Sequence, residues 1–355
     1  MSGQDKARFW VNGTRAALGL LGLLALAAPW LFDAGHLTVA TEFFTLLVLA
    51  LMWNLLAGYA DIISVGQHGF VGVGAYAFFG LTALAHVDPF LAIPLAALVT
   101  ALIAVPAMAV VFRLRTAYLA VGTWVVAEVL SLVAGKLPGF GGGSGTSLPI
   151  PIAKAFGSSS IARVDMFYAM SLALALASFA ATWALLRSRV GLGLTAMRDN
   201  EEAAGSAGVN LPLSRIVCFL WTAPVLGSVG ALVTLAKLRV APSASFNIAD
   251  WTIYPIFIVI IGGIGSLEGP MLGALVYIVL REYLAGYGAW YPIALGVVSI
   301  SVMLKEPRGL WGVLRRAGLA EVIPVSHFPR ARAPKHPVVA GDAFSGAPDN
   351  KVGAS

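Results

Sequence analysis

Long apolar stretches without a charged side chain follow one another along most of this chain. Clear examples are residues 43–60, 89–112 and 216–236, which are rich in Leu, Val, Ala and Ile. A helix needs about 20 consecutive apolar residues to cross the hydrocarbon core of a bilayer. The alternating ten-residue pattern of an outer-membrane barrel is absent. Because backbone groups in lipid must be satisfied internally, the pattern predicts membrane-crossing helices.

We predict an all-α integral membrane protein, a polytopic bundle of about ten transmembrane helices. They are assigned to residues 16–33, 38–58, 61–85, 89–112, 116–135, 166–187, 214–236, 250–266, 269–285 and 288–304. The glycine-rich segment 61–85 either crosses fully or folds back as a re-entrant segment, which would change the number. The chain then divides into an N-terminus (1–15), a transmembrane domain (16–312) and a tail (313–355). The tail lacks periodicity and is predicted to be disordered.

Composition supports the membrane assignment and argues against several other classes. Hydrophobic residues make up 59% of the chain and charged residues 11%, against about 25% charged in soluble domains. The net charge of +6 does not indicate nucleic-acid binding, because the basic residues are scattered beside the apolar stretches. The single Cys218 excludes an intrachain disulfide. No HExxH, Gly-x-Ser-x-Gly or paired His/Cys pattern is present, so we predict neither a metal site nor an enzyme.

The basic residues are distributed unequally between alternate connections. Thirteen fall on one side: Lys6, Arg8, Arg15, Arg113, Arg115, Arg187, Arg189, Arg198, Arg215, Lys305, Arg308, Arg315 and Arg316. Five fall on the other: Lys136, Lys154, Arg163, Lys237 and Arg239. The side rich in Lys and Arg is cytoplasmic in membrane proteins. Both termini are therefore predicted to be cytoplasmic, as an even number of crossings requires.

The cytoplasmic connection 188–214 is the most polar stretch between the membrane ends. Asp199 is predicted to cap a helix over about residues 200–207, with Glu202 closing a capping box and Gly208 in a left-handed C-cap. The small residues of this helix allow another surface to approach its backbone. It is either a docking helix or a solvated connecting helix.

Four segments, in the same order along the chain, resemble one known family. Glu202-Ala-Ala-x-x-x-Gly208 resembles the EAA signature of ABC-importer permeases. The longer stretch 191–208 resembles more closely the LivM-type permeases of branched-chain amino acid importers. The other three are the glycine-rich segment 58–76, the turn 262–270 and the motif 307–310.

The resemblance implies a non-catalytic permease subunit that moves branched-chain or related amino acids across a bacterial inner membrane by alternating access. It implies four kinds of partner: lipid, a homologous second permease, two cytoplasmic ATP-binding subunits and a periplasmic substrate-binding protein. The chain itself would bind no cofactor, because ATP and magnesium belong to the ATP-binding subunits. The alternatives are a urea or short-amide permease of the same class and an ion-coupled secondary transporter. A secondary transporter should show paired intramembrane carboxylates and an inverted repeat.

In this family the cytoplasmic helix is a coupling helix that inserts into the ATP-hydrolysing subunit. The residues that the resemblance assigns to coupling are Arg198, Asp199, Asn200, Glu201, Glu202, Ala203, Ala204 and Gly208.

Polar residues at membrane depth are costly and usually face a cavity or another helix. Ser64, Gln67 and His68 lie beside a glycine repeat, and Glu128 follows Trp124 by one helical turn. These five are candidates for the substrate pathway, where Glu128 would meet a substrate ammonium group. The alternative is that they are packed, hydrogen-bonded structural residues.

A second glycine-rich segment interrupts the apolar pattern near the cytoplasmic side. Gly262, Gly263, Gly265 and Ser266 should break a helix there. Irregular backbone at membrane depth lines protein or water rather than lipid. We therefore predict a hinge or gate at this break.

The outer connection 136–165 contains the glycine-rich stretch 139–145. It lacks the Gly-Lys-Ser/Thr of a phosphate-binding loop. It is predicted either to touch a partner outside the membrane or to be a plain linker.

Overall fold

The computed structural model describes residues 22, 24–114, 116–157, 159–288, 290–306 and 308–317. Residues 24–31 are helical. The next helices are α1 (Ala34–Tyr59), α2 (Gln67–Phe79), α3 (Pro89–Val111), α4 (Thr116–Ala134), α5 (Ile150–Ala155) and α6 (Ser160–Arg187). They are followed by α7 (Arg189–Asp199), α8 (Glu201–Ser206), α9 (Leu211–Lys237) and α10 (Pro242–Ser245). The last are α11 (Tyr254–Gly262), α12 (Gly269–Leu284), α13 (Trp290–Lys305) and α14 (Gly309–Arg316).

Two helices have a π-helical turn at one end. Residues Gly80–Leu84 extend α2, and Ala249–Ile253 precede α11. Two short strands, β1 (Thr146–Ser147) and β2 (Arg239–Val240), pair antiparallel.

The polytopic helical fold is confirmed. Within the described residues, five helical stretches are long and apolar enough to cross a membrane: Ala34–Tyr59, Pro89–Val111, Ser160–Arg187, Leu211–Lys237 and Pro242–Gly262. Two apolar helices are shorter, Tyr118–Ala134 and Trp290–Lys305. The number of ten crossings stays a prediction. Residues 1–21 and 23, which include part of the first crossing (16–33), and residues 318–355 lie outside the described residues.

Helix α1 forms the centre of the bundle. Its residues from Leu46 to Leu56 are buried all round, which is typical of a helix with no solvent or lipid face. It packs against α6, α9, α11 and α12. Helix α3 is more peripheral, since Leu91, Leu98 and Leu102 on one face are exposed.

The connections group at two ends of the bundle. At the first, which we call the inner end, Arg215 lies beside Asp61, and Arg198 contacts Gly265. At the second, the outer end, β1 pairs with β2 and the Arg239 guanidinium donates to the Ser144 carbonyl at 2.7 Å. The charge count had placed these residues on the same two sides, so the alternation of the crossings and the packing agree.

Residues 61–85 connect the two ends. Asp61 lies at the inner end, while Leu84 contacts the outer connection near Gly139. Residues 61–66 are not helical, and the helix from Gln67 to Leu84 completes the passage. The segment therefore runs from one end to the other rather than folding back.

The glycine-rich outer connection packs onto the end of α2. The Phe140 ring stacks on Tyr76 with centroids 5.2 Å apart and also contacts Phe79. At the other end of the chain, α14 continues to Arg316, past residue 313, where the predicted tail begins.

Candidate transport pathway and coupling site

The glycine repeat of α2 permits close backbone contact with three neighbours. A Cβ on Gly69 would lie 2.7 Å from that of Ala127 on α4, closer than real Cβ atoms approach. Gly66 is packed as tightly against Thr123, and Gly74 against Gly227 of α9. Small residues therefore let these helices approach at backbone distance. This packing places the N-terminal end of α2 directly against the middle of α4.

This packing brings His68 and Glu128 together, although 60 positions separate them in the chain. The His68 ring is fully buried, and its Nε2 lies 3.9 Å from Oε1 of Glu128. Its backbone N–H donates to Oγ1 of Thr252, and Nδ1 lies 3.1 Å from the same oxygen. If the Thr252 hydroxyl uses its one proton as a donor to Nδ1, the ring proton stays on Nε2, facing Glu128.

Two of the other candidates differ in how their polar atoms are satisfied. The Ser64 hydroxyl accepts a hydrogen bond from the backbone N–H of Gly66. The Ser64 backbone carbonyl accepts one from the indole N–H of Trp53 at 2.8 Å. Ser64 is therefore a packed residue with structural contacts. Neither amide atom of the buried Gln67 side chain has a hydrogen-bond partner in the part of the chain that the structure describes. Buried polar groups usually have one, so Gln67 is available to a ligand or water.

Glu128 and Trp124 lie at the surface of the bundle. The Trp124 indole N–H donates to Oε1 of Glu128 at 3.2 Å, and half of the Glu128 side chain is exposed. An ionisable group facing lipid at the bilayer centre costs about 2.5–3.5 kcal/mol. This face of α4 therefore requires water or another protein beside it. His68 and Glu128 thus place an imidazole beside a carboxylate, whereas the neighbouring Gln67 is 1% exposed.

The predicted helix break separates α11 from α12. Gly263 and Gly265 have positive φ angles of 127° and 74°, which glycine adopts without strain. The turn is held from two sides. Asn54 of α1 accepts from the Gly265 N–H at 2.8 Å and donates to the Ser266 carbonyl at 2.7 Å. Arg198 donates to the Gly265 carbonyl at 3.0 Å.

The motif 307–310 packs on the same turn. A Cβ on Gly263 would lie 2.5 Å from the Arg308 carbonyl oxygen, and Gly309 fits against Gly262 and Gly263 with a φ of 64°. Pro307, the first residue of that motif, lies outside the described residues.

The connection 188–214 contains two helices, α7 and α8, where one was predicted. The prediction that Asp199 caps α8 is wrong, because Asp199 is the last residue of α7. Asn200 ends α7 and begins α8: its N–H bonds to the Ala196 carbonyl, and its side chain accepts from the Ala203 N–H at 3.0 Å. Glu202 is therefore the second residue of α8 and closes no capping box.

The exposed surface of α8 is small and acidic. Glu202, Ala203 and Gly205 are exposed, whereas Ala204 is 3% exposed and anchors the helix. Gly208 ends the segment with a φ of 88°, as predicted. Asp199 is exposed and pairs with Arg198. The inner end thus presents a short helix whose accessible face carries Glu202 and otherwise small residues.

A comparison with known families and proteins identifies this architecture. The model of the family of permease components of branched-chain amino acid transport systems matches residues 35–305.

The chain belongs to this family.

The permease is similar to two bacterial proteins described as high-affinity branched-chain amino acid transport system permease protein LivM. It is 28% identical to the protein of Salmonella typhimurium and 27% identical to that of Escherichia coli, each over 84% of this chain and 75% of the relative. A probable branched-chain amino acid transport permease protein LivM of Methanocaldococcus jannaschii is 32% identical over 37% of each chain. No solved structure matches the permease.

Sequence reasoning missed two ion pairs of this permease. Arg215, at the start of α9, donates two hydrogen bonds of 2.9 Å to the Glu201 carboxylate. Arg281 of α12 pairs with Glu42 of α1. Glu42 interrupts an apolar crossing, which was a visible signal, but its partner is 239 positions away and shows no spacing pattern.

Among the described residues, no group of three or more His, Cys, Asp or Glu side chains is placed to hold a metal ion.

Replacing Asn54 with alanine should destabilise the permease by about 1–3 kcal/mol, because two partly buried backbone groups of the glycine turn lose their partner. Thermal unfolding of the purified protein would show a fall of several degrees. Replacing exposed Ser206, which ends α8, with alanine is the control and should leave the transition unchanged. Unfolding of Asn54→Ala at the wild-type temperature would contradict a stabilising role for the Asn54 hydrogen bonds to Gly265 and Ser266.

Proposed function

We propose that the permease is one of two membrane subunits of an ATP-driven importer in a bacterial inner membrane, with both termini in the cytoplasm. Its partners are a homologous second permease, two cytoplasmic ATP-binding subunits and a periplasmic substrate-binding protein. ATP and magnesium bind to the ATP-binding subunits, and this chain performs no chemistry. The observation that carries the proposal is the family match together with α8, a short exposed helix at the inner end.

Helix α8 acts as the coupling helix of this importer. Its exposed residues Glu202, Ala203 and Gly205 present a surface on which a partner can approach the backbone closely. When the ATP-binding subunits close, they pull α8 and change which side of the bundle is open. The turn Gly262–Ser266 serves as the hinge, since it breaks a helix and is bonded to both α1 and α7.

The substrate is a branched-chain amino acid, the class that the names of the relatives state. Glu128 supplies a carboxylate for the substrate ammonium group, and Gln67 and His68 supply the polar atoms behind it. Ser64 contributes to the wall rather than to binding, because its polar atoms are already bonded.

Reconstitution of the permease with its three kinds of protein partner in proteoliposomes tests this function. We expect uptake of labelled leucine that requires ATP in the compartment of the ATP-binding subunits and is inhibited by vanadate. Excess isoleucine or valine should compete, and urea or acetamide should not. Uptake that persists without ATP and follows a proton gradient would overturn the proposal, and competition by urea alone would overturn the substrate.

Glu128→Gln should raise the KM for leucine uptake about 10- to 100-fold, because a hydrogen bond to a charged group contributes about 1.5–3 kcal/mol. Uptake kinetics at varied leucine concentration would measure it. Glu282→Gln removes an exposed carboxylate of α12 that is outside the cluster and should leave the KM unchanged. Equal KM values for the two variants would exclude Glu128 from the pathway.

A further inference from the structure

The arginine at the start of α9 joins the cytoplasmic helices to the beginning of α2. The Arg215 side chain donates from Nη2 to both carboxylate oxygens of Glu201 on α8, at 2.9 Å each. Its Nε donates to the Ala60 carbonyl at 3.2 Å, and Nη2 lies 3.7 Å from Oδ2 of Asp61. One guanidinium thus contacts α8, the end of α1 and the residue that begins the connection to α2.

Asp61, which the Arg215 guanidinium contacts, has an unusual backbone conformation. Asp61 has a φ of 53°, a left-handed value that costs a non-glycine residue roughly 1–2 kcal/mol. Ala60 ends α1, and its backbone N–H bonds to the Leu56 carbonyl. The chain therefore turns sharply at the place where the guanidinium holds it.

From that turn, the path to the candidate substrate site is short and tightly packed. Residues 62–66 are not helical and lead directly to Gln67 and His68. Gly66 touches the backbone of Thr123 so closely that no Cβ would fit. Packed protein interiors transmit displacement rather than absorb it. We therefore expect a shift at Asp61 to reach the start of α2 and, through the contact of Gly66 with Thr123, the helix that carries Glu128.

A second arginine makes a parallel connection from the cytoplasmic helices. Arg198 of α7 donates to the Gly265 carbonyl and lies over the Tyr59 ring, 5.4 Å from its centroid. This second link reaches the glycine turn rather than the start of α2. Arg198 thus contacts the glycine turn, whereas Arg215 contacts the residues that precede α2.

We propose that Arg215 is a positioning residue that transmits the movement of α8, through Ala60 and Asp61, to the His68–Glu128 site. The proposal rests on the proposed function, since it assumes that α8 is the coupling helix. The rigid fork of the guanidinium is required, because it holds Glu201 with two bonds while its Nε holds the backbone. A lysine keeps the charge at Arg215 but reaches only one of these partners at a time.

The test uses the complete reconstituted importer and measures leucine taken up per ATP hydrolysed. For Arg215→Lys and for Glu201→Gln we expect normal co-purification of all subunits, ATP hydrolysis within about twofold of wild type, and uptake per ATP at least about tenfold lower. The exchange of both charges, Glu201→Arg with Arg215→Glu, should restore part of the ratio. Arg189→Lys changes an exposed arginine of α7 in the same way and should keep the wild-type ratio.

The outcomes separate this proposal from the proposed function. If the wild-type complex shows no ATP-dependent uptake, the proposed function fails, and the proposed role of Arg215 fails with it. If the wild-type complex transports and both single variants keep its uptake per ATP, only the proposed role of Arg215 is overturned. Loss of thermal stability and assembly in both single variants, with an unchanged ratio in the complexes that form, would assign Arg215 a purely structural role and also overturn it.

Discussion

Replacing Gly74 with valine should strongly destabilise the permease and lower the yield of folded protein. Gly74 lies where α2 crosses α9, and a Cβ there would come within 3.0 Å of the backbone of Gly227. The same crossing is repeated one turn away, where Gly230 of α9 meets the Val71 carbonyl. Because backbone lies on both sides, the two helices must separate, and small residues are what allow membrane helices to approach this closely.

We expect the change at Gly74 to cost about 3 kcal/mol or more, since overpacking typically costs about 1–3 kcal/mol and here the obstacle is backbone. Whole proteins are stable by only about 5–15 kcal/mol. Size-exclusion chromatography after detergent extraction should therefore show little monodisperse protein, and the remainder should unfold at least several degrees lower. Gly296→Val is the matched control, because no atom lies within 4 Å of a Cβ placed there. Equal yields of the two variants would contradict the assigned crossing.

Glu202→Lys should remove the ATP-binding subunits from the permease without altering its fold. Glu202 is exposed in the first turn of α8, and the described residues offer it no hydrogen-bond or ion-pair partner. Its neighbour Glu201, by contrast, forms an ion pair with Arg215. A reversed charge within a docked interface costs about 2–5 kcal/mol. Leucine uptake by the reconstituted importer should therefore fall about 30-fold or more.

Co-purification measures directly whether the ATP-binding subunits still bind the permease. It should be lost in Glu202→Lys. The control is Lys154→Glu, a charge reversal on exposed α5 at the outer end, which should retain co-purification. Thermal unfolding of the isolated permease should be the same for Glu202→Lys and wild type. Uptake and ATP hydrolysis both unchanged by Glu202→Lys would reject α8 as the coupling helix.

In the connection 188–214, local sequence patterns predict some features and not others. The existence of α8 and the left-handed Gly208 were predictable, because caps and turns depend on neighbouring residues. The choice between Asp199 and Asn200 as the cap was not. Either side chain suits that position, and the decision depends on whether α7 continues through Asp199. Helix α7 itself is a weakly apolar segment whose buried side, including Leu194 and Met197, is apparent only against the bundle.

The sequence alone determined the membrane-embedded helices, their alternation between two sides, the glycine break at 262–266 and the family. Each of these depends on local hydrophobicity, local charge or a short motif. The tertiary structure alone decided that His68 lies beside Glu128, that Asn54 clamps Gly265 and that Arg215 joins Glu201 to Asp61. Such pairs unite distant positions through helix packing, and helices packed in a membrane have no periodic signal that names their partners.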